Sequence, residues 1–320
     1  MAERTLAVDL SGLALPTPVM IAAGCAGSGR ELSGLVDLRR VGAVVSRTVT
    51  VWPREGSPTP RIAETPSGIV WDTGLQNPGI DVFATSELPR LARSGVRTIV
   101  SVGGGTLEEY VRLTSALLGH PEVAAIEVYL AGRDEEMDHE VLGTHPERLS
   151  EIVGAVARTA LVPVFAKIPG GATGTVDLAR AAVRAGATGV TLTGSPPAMG
   201  VRAPALRPEL GGVTGWLSGP ALLPLTVRAV FEVSQALPEV PVIASGGVRT
   251  GLDAVGCILA GAWAVQMGTA VLIDPAAPVA AARDIARYVK AMRLTSPAQL
   301  RGRLRVPGPF AAAVGERTEP

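Results

Sequence analysis

Short apolar runs alternate with longer amphipathic stretches along most of this chain. Eight of the runs are rich in β-branched residues, almost continuously apolar and flanked by Gly or Pro; they span 18–23, 43–49, 97–102, 123–130, 162–168, 188–193, 241–247 and 263–269. Such runs are typical of strands buried on both faces of a parallel sheet. The stretches between them, such as ELSGLVDLRRVG (31–42) and TVDLARAAVRAGA (175–187), have helical periodicity, and several end in glycine, as helices often do.

Eight strand–helix units in roughly 280 residues indicate a (β/α)8 TIM barrel. A doubly wound sheet is the alternative, but the regular spacing through the eighth unit favours the barrel. Two segments rich in Gly and Pro, 50–79 after the second strand and 194–218 after the sixth, are too long for ordinary loops. We expect these insertions over the C-terminal mouth, where barrels bind ligands. We predict a single barrel domain over 1–295 and a loosely held tail over 296–320.

Composition narrows the classes of partner. The chain has 320 residues, and its 29 Lys and Arg balance its 29 Asp and Glu, so nothing indicates nucleic acid or an anionic membrane as a ligand. No apolar run reaches the ~18 residues of a spanning helix, and the N-terminus lacks the features of a signal peptide. We therefore expect a soluble cytoplasmic protein. The two cysteines and three histidines have no metal-ligand spacing, so we predict no metal site.

Glycines at the ends of the last two predicted strands indicate an anion site. Gly246 and Gly247 lie at the end of the seventh strand, and Gly268 and Thr269 lie at the end of the eighth. Glycine lets backbone N–H groups approach a phosphate closely, and the loops after these strands often bind phosphate in barrels. The alternative is that these glycines only turn the chain, but two such sites at consecutive strand ends favour a phosphate group.

Lys167 lies near the end of the fifth strand, inside an apolar run. Burying an ammonium group costs free energy unless the group contacts an anion or a polar ligand. Lys167 either contacts a bound ligand or forms an internal salt bridge with Glu127.

Five segments together resemble the dihydroorotate dehydrogenases: PREGSPTPRIAETPSG (53–68), TGLQNPGI (73–80), TGWLSGPA (214–221), ASGG (244–247) and QMGTA (266–270). The resemblance is closest to the soluble class that works with an iron–sulfur/FAD partner subunit. It implies a (β/α)8 barrel with FMN at its mouth, hydride transfer between a small substrate and FMN, and a homodimer. An electron-transfer partner subunit is a further expectation.

The resemblance also implies which residues bind the flavin. Arg47 stands where the family has a lysine, and its planar guanidinium makes that exchange more than a swap of cations. Lys167 would stabilise the reduced flavin. The expected FMN contacts are Ala23, Gly24, Arg47, Thr48, Lys167, Thr193, Gly219, Gly246, Gly247, Gly268 and Thr269.

The substrate side departs from the family. The family ends its fourth strand with Asn-(Ile or Leu)-Ser-Cys-Pro-Asn, and the cysteine removes a proton from the substrate. Here Gly132 occupies that position, and Trp71 replaces a substrate-binding asparagine. The expected substrate contacts are Arg47, Trp71, Tyr129 and Ser195. Losing amides that bind a pyrimidine should weaken its recognition, so we predict a cyclic or unsaturated substrate other than dihydroorotate.

No catalytic residue is assigned. Asp134, His139 and Tyr129 are the candidates to replace the missing base. The alternative functions are a genuine dihydroorotate dehydrogenase, a catalytically silent FMN-binding scaffold, and an FMN-free barrel enzyme that acts on a phosphosugar.

Overall fold

In a computed structural model, which describes residues 5–27, 29–131, 141–171 and 174–307, eight parallel strands close into a barrel. Each strand pairs with the next along the chain, and β8 pairs with β1. The strands are β1 (Val19–Ile21), β2 (Val44–Val45), β3 (Thr98–Val102), β4 (Val123–Tyr129), β5 (Val164–Lys167), β6 (Gly189–Leu192), β7 (Val242–Ser245) and β8 (Ala264–Met267). Each lies within one of the eight predicted runs, so the TIM barrel is confirmed and the doubly wound alternative is wrong.

Helices cover the outside of the barrel. The α-helices are Arg30–Ser33, Ile80–Val82, Leu88–Arg93, Leu107–Ala116, Pro146–Thr159, Thr175–Arg184, Leu223–Ala236, Gly251–Ala260, Thr269–Ile273 and Ala277–Ala291. A π-helical turn (Phe83–Glu87) joins the second to the third. Short 3₁₀ turns lie at Leu38–Arg40, Leu142–Thr144, Ala203–Ala205, Pro220–Leu222 and Pro297–Leu300. None of the described helices is long and apolar enough to cross a membrane.

Side chains alternate between two cores along each barrel strand. In β5, Val164 and Ala166 point outward to the helices, whereas Phe165 belongs to a second cluster inside the barrel. Two leucines next to the N-terminal hairpin (Val8–Asp9 with Ala14–Leu15), Leu10 and Leu13, join this inner cluster. Because a strand turns successive side chains to opposite faces, the continuous apolarity of the runs follows from burial on both sides.

The two insertions form one antiparallel sheet, which we call the roof sheet. Its strands, in spatial order, are Pro197–Ala198, Gly215–Ser218, Gly68–Trp71 and Ile62–Thr65. The close approach of two of these strands depends on Gly68, because a Cβ there would lie 2.1 Å from the carbonyl oxygen of Ser218. Pairing between segments about 150 residues apart is not visible in local sequence patterns.

Two local expectations differ from the structure. The stretch 31–42 is not one helix: its α-helix ends at Ser33, with Gly34 as the C-cap, and a separate 3₁₀ turn follows, capped by Asp37. The start of the expected loose tail, in turn, packs on the barrel. Arg301 stacks over the Trp263 ring, 3.6 Å from its centroid, and Gly302 N–H donates to the carbonyl of Ile258. The prediction of looseness from 296 is therefore wrong as far as about residue 304, because these contacts hold the chain; 308–320 lie outside the described residues.

Candidate active site

One cavity of about 430 Å³ lies at the C-terminal ends of the barrel strands, beneath the roof sheet. Its volume falls within the range of ligand pockets, ~300–1,000 Å³. All of the residues predicted to bind cofactor or substrate line it: Ala23, Gly24, Arg47, Thr48, Trp71, Tyr129, Lys167, Thr193, Ser195, Gly219, Gly246, Gly247, Gly268 and Thr269. The structure thus brings them together, and their individual roles stay predictions.

The ends of the barrel strands form the floor of this cavity, and a buried polar network reaches the cavity there through Lys167. Lys167 Nζ donates to Glu127 Oε1 at 3.1 Å and to Gln266 Oε1 at 3.3 Å. Glu127 Oε2 accepts from Gln266 Nε2 at 2.6 Å and from Thr191 Oγ1 at 3.0 Å. Glu127 is 1% exposed, so these partners replace the water that its carboxylate would otherwise need. Both interpretations of Lys167 are therefore compatible: it forms the salt bridge and also borders the cavity.

Glycines and hydroxyl groups line the end of the cavity at β7 and β8. Gly246 and Gly247 both have positive φ angles, 122° and 78°, which glycine adopts without strain. Thr269 Oγ1 donates to Ser218 Oγ at 2.9 Å, which links the start of the helix Thr269–Ile273 to the roof sheet. Backbone N–H groups and hydroxyls in this arrangement are suited to a phosphate group.

Aromatic side chains line the roof. Trp71 and Trp216 lie directly opposite each other on neighbouring strands of the roof sheet. Ile69 and Ser218, two residues along these strands, also border the cavity, as the two-residue period requires. The roof therefore offers large apolar surfaces to a ligand, with few polar groups.

Tyr129 ends β4 and borders the same cavity. Burial raises the pKa of its phenol well above the usual range, and the nearby carboxylate of Asp72 raises it further, while Arg54 opposes this. The phenol consequently stays protonated at neutral pH. It can donate a hydrogen bond or a proton, but it is poorly suited to remove one.

Arg47 connects the barrel to the first insertion. Its Nη1 donates to the carbonyl of Gln76 at 3.0 Å. Its Nε is buried, and within the described ranges it has no hydrogen-bond partner. An unpartnered donor beside a cavity favours a ligand that supplies an acceptor there. Gly24 also leaves space at the cavity wall, because a Cβ built there meets no atom within 4 Å.

Cys25 borders the cavity beyond β1. Burial raises the pKa of its thiol, the positive charge of Lys167 lowers it by a smaller amount, and the net value is about 11. A neutral thiol is a poor nucleophile, which favours a packing role over catalysis.

Gly132, at the position of the family's base, and the candidates Asp134 and His139 lie outside the described residues. No group of three or more His, Cys, Asp or Glu side chains that could bind a metal occurs in the described part of the chain.

Sequence reasoning missed several cavity residues. Trp216 lies in a segment that carries the family resemblance but was not assigned to the site, although alternation along the strand Gly215–Ser218 could have placed it on the same face as Ser218. Ile62 and the exposed Arg249 also border the cavity. Arg249 follows the Gly246–Gly247 pair, so its closeness to an anion site could have indicated an additional cation there.

The amino-acid sequence is similar to those of known proteins. A model of the family described as dihydroorotate dehydrogenase matches residues 5–289. The chain belongs to the dihydroorotate dehydrogenase family. It is 44% identical over 283 residues to the dihydroorotate dehydrogenase B (NAD(+)) catalytic subunit of Desulforudis audaxviator (88% of this chain, 92% of that protein). It is 40% identical over 306 residues to the protein of the same name from Geotalea daltonii (96% and 100%).

Membership of this family confirms two expectations, the B-type subclass and an oxidoreductase that acts on CH–CH bonds. FMN is the cofactor expected for the family. The residues present fit it: amides and hydroxyls at one end, Lys167 on the floor, and the unpartnered Nε of Arg47 at the wall.

Proposed function

We propose that this chain oxidises dihydroorotate to orotate with FMN as its hydride acceptor. This was the alternative in the sequence analysis, and the names of relatives at 40–44% identity support it better than a different substrate. The observation that carries the proposal is that a single cavity contains every predicted FMN contact, beneath a roof sheet assembled from the two insertions.

Different residues of the cavity would bind the phosphate of FMN, stabilise its reduced ring and exclude water. The amides of Gly246, Gly247 and Gly268 and the hydroxyl of Thr269 would bind the phosphate of FMN. Lys167 would stabilise the negative charge that the flavin ring gains on reduction. When bound, FMN supplies a hydride acceptor next to the substrate. The roof sheet excludes water from the reacting atoms.

The reaction also requires a base, because converting a CH–CH bond to C=C removes one hydride and one proton. Tyr129 does not meet this need, since its raised pKa keeps the phenol protonated. We propose that it donates a hydrogen bond to the substrate. Asp134 and His139 remain the candidates for the base, on sequence grounds alone. A base typically contributes ~10²–10⁴-fold to the rate, so slow turnover is expected if neither residue acts.

A second candidate function has its own supporting observation. The facing pair of Trp71 and Trp216 lies above the cavity where a substrate rich in amides would need polar partners. Aromatic faces favour a planar, apolar ring. This supports the prediction that the substrate is a cyclic or unsaturated compound other than dihydroorotate.

We further propose that the chain forms a homodimer and transfers electrons to a partner subunit, with NAD⁺ as the final acceptor. The relatives' names describe catalytic subunits and NAD(+). Co-purification with the product of a neighbouring gene would test this.

Anaerobic reduction of the purified protein distinguishes the two functions. The FMN proposal predicts flavin absorbance that is bleached by dihydroorotate, with one equivalent of orotate formed per flavin. The variant Gly132→Cys restores the family's base and should raise this rate by ~10²–10⁴-fold, whereas Ser195→Cys places a thiol elsewhere in the cavity as a control.

Bleaching by other cyclic compounds, with no orotate formed even by Gly132→Cys, would favour the second function. A protein that neither contains nor takes up FMN would contradict both.

A further inference from the structure

We propose that Glu127 is a positioning residue that fixes the Lys167 ammonium group at the floor of the cavity. The inference rests on the proposed binding of FMN, and it assigns to the buried carboxylate a role beyond folding. The observation behind it is a closed set of hydrogen bonds among four side chains, each from a different barrel strand.

Both oxygens of Glu127 are engaged. Oε1 accepts from Lys167, and Oε2 accepts from Gln266 and Thr191. The donors come from β5, β8 and β6, so three rigid strands hold the orientation of the carboxylate plane. Thr191 and Gln266 are 0% and 1% exposed, and water therefore competes little for these bonds.

Lys167 is held at two points. Its Nζ donates to Glu127 and also to Gln266 Oε1, and an ammonium group has three donors. One N–H thus remains for a ligand in the cavity that Lys167 borders. A lysine side chain has high rotamer freedom, so without these two acceptors its charge would spread over several positions.

A simpler role for Glu127 predicts a shift of the FMN midpoint potential in the opposite direction. If the carboxylate acted only as a negative charge near the flavin, its removal would make the site more positive and would favour the anionic reduced flavin. The midpoint potential of FMN would then rise. If Glu127 positions Lys167, its removal displaces the cation, and the midpoint potential falls, as it would if Lys167 itself were removed.

The test measures the two-electron midpoint potential of bound FMN in Glu127→Gln, Lys167→Met and the wild-type protein. Positioning predicts that Glu127→Gln shifts the potential in the negative direction, by the larger part of the shift in Lys167→Met. Glu127→Asp keeps the charge but shortens the side chain by one methylene, so it should also shift the potential negatively. A positive shift in Glu127→Gln, or no shift, would overturn the proposal.

Thr191→Val keeps the test decisive if Glu127→Gln does not fold. It removes one donor to Glu127 with little change in volume and no change in charge, so positioning predicts a smaller negative shift. Thr114→Val is the matched control, because Thr114 is equally buried, its hydroxyl donates to the carbonyl of Tyr110 in the same helix, and neither residue lines the cavity. Equal potentials in the two threonine variants would contradict the proposal.

The role of Glu127 and the proposed function can be refuted independently. A wild-type protein that binds no FMN refutes the function, whereas a wild-type protein that binds FMN, with a Glu127→Gln variant of raised potential, refutes only the role of Glu127.

Discussion

The floor and the roof of the cavity are built in different ways. The floor consists of barrel-strand ends, where glycines expose backbone amides and Glu127 and Lys167 pair inside the barrel. The roof consists of two insertions whose strands pair with each other across the mouth and present Trp71 and Trp216. The floor depends on backbone geometry and buried polar bonds, and the roof depends on bulky side chains.

This difference indicates which part can change in evolution without loss of the cofactor. A floor residue has several partners, each of which would be left unsatisfied by a substitution. A roof side chain mainly contributes shape and apolar area, so exchanging it alters which ligand fits while the phosphate site is unchanged. Recognition of FMN and recognition of substrate should therefore respond separately to mutation.

The largest effect is expected for Gly247→Ala. A Cβ at Gly247 would lie 2.2 Å from the backbone nitrogen of Leu223, and the positive φ of 78° adds strain. We expect destabilisation of at least ~1–3 kcal/mol and loss of FMN, measured by thermal unfolding and flavin absorbance.

Gly256→Ala is the control, since a Cβ there has open space inside the helix Gly251–Ala260. It should leave FMN bound and stabilise the helix slightly. Equal retention of FMN by both variants would contradict the account of the floor.

The second effect concerns the reactivity of Cys25. A pKa of about 11 rather than 9.0 lowers the thiolate fraction at pH 8 by about 100-fold. Alkylation by iodoacetamide should thus be slow at pH 8 and accelerate up to about pH 11. The same shift has no effect on stability below pH 9, where the thiol is neutral in both states, and it lowers the free energy of unfolding as the pH rises from 9 towards 11, because the unfolded chain ionises first.

Added FMN should slow the labelling of Cys25, which borders the cavity, as mass spectrometry of the modified peptide would show. Cys257, which is fully buried, serves as the internal control. Rapid labelling at pH 8, unaffected by FMN, would place the flavin elsewhere.

A smaller effect is expected at the roof. Trp216→Ala removes half of the aromatic pair, so we expect the KM of the substrate to change by about 10-fold, the range of one lost apolar contact. The affinity for FMN should stay the same. Steady-state kinetics and a flavin titration test this, and a parallel loss of FMN would show that floor and roof are not independent.

The smallest effect is expected where the two regions meet. Thr269→Val removes the hydroxyl that donates to Ser218 in the roof sheet. On the proposed function, this hydroxyl turns to the FMN phosphate when the cofactor binds. One hydrogen bond contributes about 1 kcal/mol, so the dissociation constant of FMN should rise about 5-fold. Thr269→Ser retains the hydroxyl and should keep the wild-type value; a loss in Thr269→Ser but not in Thr269→Val would assign the effect to packing of the methyl group.

Much of the floor could be predicted from the sequence. The run that contains Lys167 indicated a strand, and its charge inside apolar surroundings indicated a partner. The second acceptor, Gln266, could not be foreseen, because it lies 99 residues away and reaches Lys167 only when β8 closes the barrel. Alternation along its strand could have indicated the face of Trp216, but its position opposite Trp71 depends on pairing between the two insertions.

The sequence by itself determined the eight strands, their order, the glycines at the strand ends and the family, because these features depend on local periodicity and short motifs. The tertiary structure alone decided that the insertions form one roof sheet, that Gln266 and Thr191 join Glu127 and Lys167 in one hydrogen-bond network, and that residues 297–304 pack on the barrel. Those outcomes require contacts between distant segments, and such contacts exist only after the chain has closed on itself.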